Sequence, residues 1–156
     1  MTRLTALILA LLPLASQAQD TDRGQYLVTI MGCTDCHTPG HFLGQPDMSR
    51  FLGGSDVGFE ILGLGTFLGP NLTPDPTGLG SWTDAEIVTA IRTGVRPDGS
   101  HLAPAMPWMG YAALTDQDAQ AIATYLKSLP PVTNDVPGPF GPGEPTGGFV
   151  MRVTTP

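Results

Sequence analysis

Residues 33–37 read Cys33-Thr34-Asp35-Cys36-His37, and these positions hold both cysteines of a 156-residue chain. A Cys-x-x-Cys-His run has the spacing of a c-type haem attachment site. Two intervening residues let both sulfurs reach the two vinyl groups of one porphyrin as thioethers, and the histidine that follows is poised to give its imidazole to the iron. Two other readings compete. A redox-active dithiol of the thioredoxin type would follow a strand pattern, which is lacking ahead of Cys33, and would not need the adjacent histidine. Zinc calls for more ligands than two cysteines and one histidine, with His41 the candidate for a fourth. The expectation is one haem c, covalent through Cys33 and Cys36, with His37 on its iron.

Upstream of this site, Arg3, the apolar run Leu4–Leu14 and Ser16-Gln17-Ala18 have the order of a secretory signal: a positive start, an apolar core and small residues at a cleavage point. Spanning a bilayer takes about 20 apolar residues, so a run of this length reads as a signal core, not an anchor. Cleavage is expected after Ala18, which places the mature chain in the periplasm. Removing residues 1–18 takes away Arg3 and leaves six basic against fourteen acidic residues, a net charge of −8 where the full chain has −7. Such acidity excludes nucleic acid as a partner and suits a soluble protein that meets basic or neutral surfaces. No later stretch is long and apolar enough to cross a membrane.

Three helices stand out downstream. The first runs from about Asp22 to Met31, with Tyr26, Leu27 and Ile30 at helical spacing, and leads into Cys33. The second starts at Thr83, where Thr83 and Glu86 match a capping box, carries Ile87, Val88 and Ile91 on one face and stops at Gly94. The third starts at Thr115, places Ile122, Tyr125, Leu126 and Leu129 at matching intervals and ends at Pro130-Pro131. Between the first two lies a long Gly-rich stretch, Gly44–Gly80, read as loop. With 20 Gly and 16 Pro the chain favours turns, so much of it is expected to wrap around a group that supplies apolar surface. The domain plan is a signal peptide over 1–18, one domain over 19–131 and a Pro/Gly-rich extended tail over 132–156, packed on the domain or loose.

The sixth iron ligand must come from elsewhere. Met106 leads, because Pro104-Ala105-Met106-Pro107-Trp108 flanks it with prolines that restrict the loop. Met31 stands too close to the attachment site, Met48 follows His37 by eleven residues and Met151 lies in the tail. These read as packing residues. Met109 and His101 remain alternatives, the latter giving a bis-histidine iron of lower potential. Trp82 and Trp108 are candidates for packing on the haem or for hydrogen bonding its propionates, and Asn71 and Tyr111 for lying beside it.

The chain resembles a class I cytochrome c. More narrowly, Arg23-Gly24-Gln25-Tyr26-Leu27, Gly69-Pro70-Asn71-Leu72-Thr73-Pro74-Asp75, Thr77-Gly78-Leu79-Gly80-Ser81-Trp82-Thr83-Asp84-Ala85-Glu86, Gly94-Val95-Arg96-Pro97-Asp98-Gly99, the Pro-Ala-Met-Pro segment and Leu126-Lys127-Ser128-Leu129-Pro130-Pro131-Val132 are similar to haem domains in the cytochrome subunits of bacterial membrane-bound alcohol, aldehyde and gluconate-type dehydrogenases. The resemblance implies an all-α fold whose first and last helices cross near Gly24 and Tyr125. It also implies that the Pro70 carbonyl accepts a hydrogen bond from His37.

An iron with two protein ligands has no open position for oxygen or peroxide, which leaves one-electron transfer. The expectation is therefore a non-catalytic mono-haem carrier in an electron-transport or respiratory chain, with a periplasmic dehydrogenase or respiratory donor and a downstream acceptor as protein partners. It would act as a monomer or as a subunit of a complex. The alternatives are a haem subunit or domain of a dehydrogenase complex, and a sensor or peroxidase-like protein whose sixth ligand is labile.

Overall fold

The computed structural model describes residues 12–154, with side chains from Asp20 onward. The expected signal core therefore lies largely outside the described residues. Helix α1 spans Leu12–Ile30 and so runs through Ala18, where the sequence placed a boundary. A short helix α2, Cys33–His37, follows after Gly32, whose left-handed φ of 68° breaks α1 and re-aims the chain. Helix α3 is Asp84–Thr93, capped by Thr83 and Glu86 as a capping box and closed by left-handed Gly94. Helix α4 is the single turn Trp108–Tyr111, and α5 is Asp116–Ser128, with Thr115 as N-cap and Pro130-Pro131 just beyond its end.

The core lies where α1 crosses α5. Leu27 and Val28 of α1 are buried against Ile122, Tyr125 and Leu126 of α5, with Ile87 of α3 and Leu52 and Leu79 from loops completing the cluster. Each of these large apolar side chains contributes about 1.5–3 kcal/mol on burial. The crossing is close because Gly24 carries no side chain: a Cβ there would sit 2.1 Å from the Ala121 carbonyl oxygen and 2.6 Å from Tyr125 Cβ.

The all-α expectation needs correction. Within the Gly-rich stretch, strands β1 (Val57–Ile61) and β2 (Gly65–Leu68) form an antiparallel hairpin with Phe59 opposite Phe67. A third strand, β3 (Phe149–Arg152), pairs in parallel with β1, Phe59 facing Met151, so the sheet order is β2-β1-β3. Val57, Phe59 and Ile61 alternate along β1 as a strand requires. Phe59 also meets Phe42 edge-on at 5.3 Å, which ties the sheet to the loop after His37. The fold is helical with a small sheet at one side. No helix among the described residues is long and apolar enough to cross a membrane.

Candidate haem site

The attachment turn is set by backbone first. Met31 N–H closes α1 on Leu27, Asp35 N–H donates to the Gly32 carbonyl, and Thr38 N–H caps α2 on Thr34. Cys33 and Cys36 are thereby half-buried on one short helix, and both are free thiols. Burial pushes the Cys33 thiol up to about 11 and that of Cys36 upward as well, with Asp35 adding to both. A reactive dithiol needs the opposite, a thiol lowered by positive neighbours. His41 pairs with Asp35, its Nε2 lying 3.2 Å from Asp35 Oδ1. Among the described residues no three His, Cys, Asp or Glu side chains converge as a metal site, so the zinc reading finds no fourth ligand.

His37 is buried, and its Nδ1 lies 2.7 Å from the Pro70 carbonyl oxygen. Burial lowers its pKa, with the Pro70 bond acting in the other direction. A carbonyl can only accept, so Nδ1 carries the proton and Nε2 keeps its lone pair free for a metal. The Pro70 segment presses tightly on the attachment turn: a Cβ on Gly69 would stand 1.7 Å from the Cys36 carbonyl oxygen and 3.2 Å from His37 Nδ1. His37 is also held through its own carbonyl, which accepts from Gly54 N–H at 2.8 Å.

The loop bearing Met106 is built in steps from the end of α3. Val95 and His101 form an isolated antiparallel bridge, Arg96 N–H donates to Ser100, and Leu102 N–H returns to the Gly94 carbonyl at 2.8 Å. A turn then links Met106 N–H to Ala103, and Trp108 N–H to the Met106 carbonyl, at 2.9 and 2.8 Å. The Trp108 indole lies against Gly94, where a Cβ would come within 2.6 Å of the ring. Tyr111 then reaches back to the attachment turn, its hydroxyl donating to the Met31 carbonyl at 3.0 Å. Its pKa is pushed up to about 12 by burial and by the neighbouring Cys33, Cys36 and Asp35.

The other candidates are placed as follows. Met106 is half-buried, Met109 and Met48 are each 64% exposed, Met151 is 46% exposed and Met31 packs on the core. His101 is exposed on its hairpin. Trp82 packs against the core cluster, and its carbonyl accepts from Lys127 Nζ at 2.9 Å. Asn71 is buried with its amide fully engaged: Nδ2 donates to the Val132 carbonyl at 2.7 Å and to Thr77 at 3.1 Å, while Oδ1 accepts from Thr73 N–H at 2.9 Å. Its polar atoms brace the chain, a role the sequence reading missed together with Gly69, Gly54 and the Tyr111–Met31 bond. The Gly-Pro pair at 69–70 was the one local signal of a tight backbone approach.

Two free thiols and an imidazole with a fixed tautomer on one turn, and a thioether on a braced loop, fit a haem c. The cytochrome c family model matches residues 21–130. The chain belongs to the cytochrome c family. Membership implies covalently bound haem c. This cytochrome c is 38% identical over 125 residues to the cytochrome c subunit of a quinone alcohol dehydrogenase from Gluconobacter oxydans, covering 76% of this chain and 24% of that protein. It is 34% identical over 153 residues to the gluconate 2-dehydrogenase cytochrome c subunit of Pantoea cypripedii, covering 90% and 33%. A diheme cytochrome c-type protein of Cereibacter sphaeroides is 34% identical over 113 residues, covering 72% and 37%. The chain thus spans roughly a quarter to two fifths of the length of these relatives.

Proposed function

We propose that this chain holds a single haem c and works in the periplasm, after removal of residues 1–18, as a one-electron carrier between a dehydrogenase or respiratory donor and a downstream acceptor. The observation that carries this reading is the state of His37: buried, held at Nδ1 by Pro70 so that Nε2 keeps its lone pair, directly after Cys36 and four residues after Cys33, both unpaired. Haem c supplies an iron that cycles between ferric and ferrous states. The protein's part is to anchor it through Cys33 and Cys36, to orient His37, and to present Met106 from a loop that Trp108 and Tyr111 tie down, with Trp82 and Trp108 as apolar walls. Two protein ligands leave no position for a substrate on the iron, which makes the chain a carrier and not a catalyst.

A second reading has support of its own. The relatives from Gluconobacter oxydans and Pantoea cypripedii are named as cytochrome c subunits of dehydrogenases. On that ground this chain is a haem subunit or domain of a dehydrogenase complex, fed directly by a catalytic partner.

One preparation tests the haem reading. Purified protein is assayed for haem-to-protein ratio, extracted with acidic organic solvent and exposed in the reduced state to carbon monoxide. A ratio of about one, haem that stays with the protein and bands indifferent to the gas are expected. Haem lost to the solvent would sink the thioether claim, and bands that shift with carbon monoxide would point to a sensor with a labile sixth ligand. Copurification from native membranes and soluble fractions separates a free carrier from a complex subunit.

A further inference from the structure

His37 is gripped at two points by two segments that also pair with each other. Pro70 holds its imidazole and Gly54 its carbonyl. On either side of these grips, Ser55 N–H donates to the Gly69 carbonyl at 2.8 Å and Leu72 N–H to the Leu52 carbonyl at 2.9 Å. Leu52 is held in the left-handed region at φ 56°. A leucine adopts that conformation only where its surroundings over-determine it. Thr38 contributes, accepting Leu52 N–H on its hydroxyl at 3.1 Å.

A third segment closes over both from outside. After α5 ends, Pro130-Pro131 direct the chain back, and Val132–Asn134 bond to each gripping segment in turn. Val132 N–H donates to Thr73 Oγ1 at 3.0 Å, and the Val132 carbonyl accepts from Asn71 Nδ2 at 2.7 Å. Thr133 donates to Asp75 at 2.8 Å, Asn134 N–H to Thr77 at 3.1 Å, and Asn134 Nδ2 to the Gly53 carbonyl at 2.7 Å. The fit is also steric: a Cβ on Gly53 would lie 2.7 Å from Val132, and one on Gly54 2.3 Å from Val136.

The residue that holds the imidazole has little of its own to fix it. Pro70 has no N–H and is solvent-exposed, and Gly69 before it has no side chain. The direction of the Pro70 carbonyl is therefore set by its neighbours, Gly69 through Ser55 and Asn71 through Val132. We propose that the Val132–Asn134 strap, acting through Asn71 and the Gly53–Gly54 backbone, positions the Pro70 carbonyl on His37 and so helps to set the reduction potential of the haem iron. The inference rests on ligation of that iron by His37. A donor bond from Nδ1 raises the basicity of the imidazole and favours ferric iron. Loosening the strap weakens that bond and shifts the couple toward ferrous iron, raising the potential.

The test is a spectroelectrochemical titration of full-length holoprotein carrying Asn134→Ala or Asn71→Ala, with the far-red sulfur-to-iron band and the denaturation midpoint recorded alongside. Both variants should keep the far-red band, and at a fixed applied potential their ferrous-to-ferric ratio should rise about threefold or more, a modest share of what direct loss of a ligand's partner does. Arg92→Ala, which breaks a surface pair with Asp116, should leave the ratio unchanged. Where Asn71→Ala gives too little folded protein, Asn134→Ala and Thr73→Val decide the question. A lowered midpoint with an unmoved ratio would make the strap a structural brace only and overturn the proposal. Wild-type protein without bound haem, or a His37→Ala variant whose haem spectrum matches wild type, would sink the ligation reading, and the proposal with it.

Discussion

His37 Nδ1 and the Pro70 carbonyl oxygen meet at 2.7 Å although 33 residues separate them, and the residue between Pro70 and the attachment turn is what permits the approach. Any side chain at position 69 would overlap the Cys36 carbonyl, 1.7 Å from where a Cβ would stand. The atom in the way is backbone of the very helix that carries the cysteines, so it cannot rotate aside.

Gly69→Ala is accordingly expected to push the Pro70 segment off His37. Overpacking of this kind costs about 1–3 kcal/mol, and more where neither side yields. The haem-to-protein ratio and the denaturation midpoint should both fall. Gly110→Ala is the matched control, because a Cβ there meets nothing within 4 Å and the residue lies in α4. It should be neutral or stabilising by about 0.4–1 kcal/mol. Equal losses in the two variants would show that position 69 is not special.

The α1–α5 crossing makes a similar demand with a different readout. Gly24→Ala would set a methyl against the Ala121 carbonyl and Tyr125, forcing the helices apart. A loss of about 1–3 kcal/mol in chemical denaturation is expected. The optical spectrum of the folded variant should be unchanged, since Gly24 lies on the core side of α1 and not on the attachment turn.

Much of this was legible because it is local. The capping box at Thr83 and Glu86, the Thr115 cap, the prolines after α5 and the Cys-x-x-Cys-His run each declare themselves within a few residues. The sheet did not. Val57-Gly58-Phe59-Glu60-Ile61 does alternate, but it sits in a Gly-rich stretch, and its parallel partner Phe149–Arg152 lies at the far end of the chain. Strand formation depends on that partner more than on intrinsic preference. The strap was hidden for the same reason: Val132-Thr133-Asn134 has no periodicity, and its bonds run to residues some 60 positions earlier, such as Val132 to Asn71 with a separation of 61. At the site, nothing local to Asn71 announces that its amide is bonded to the strap.

Acid should loosen the strap. Asp75 accepts from the Thr77 hydroxyl and N–H on one oxygen and from Thr133 on the other, and these bonds hold its carboxyl below the ordinary value of 3.8. A carboxylate whose pKa is lower folded than unfolded contributes stability that is fully present above the unfolded value. It is lost as pH falls from 3.8 through the lowered folded value. Asp75→Asn removes this dependence. The variant should be the less stable protein near neutrality, and the gap to wild type should close as pH falls through that window. Denaturation midpoints across an acid series check this, and a gap that widens in acid would refute it.

Met106 is the residue proposed to supply the sixth ligand. It is half-buried on a loop fixed by the Leu102 return to Gly94, by Trp108 packed on Gly94 and by the Tyr111 bond to Met31. Its rivals are less well placed: Met109 and Met48 are 64% exposed, and His101 is exposed on a hairpin. A thioether is a soft neutral ligand that favours ferrous iron, so Met106→His should lower the potential. Met106→Ala should abolish the far-red sulfur-to-iron absorption of the oxidised protein and open a position for external ligands such as imidazole or carbon monoxide. Met109→Ala and Met48→Ala should keep the absorption and, because both side chains face solvent, change stability by no more than about 0.5 kcal/mol. If Met106→Ala retains the band, the ligand is another residue, and the same spectrum taken on Met109→Ala and His101→Ala identifies it.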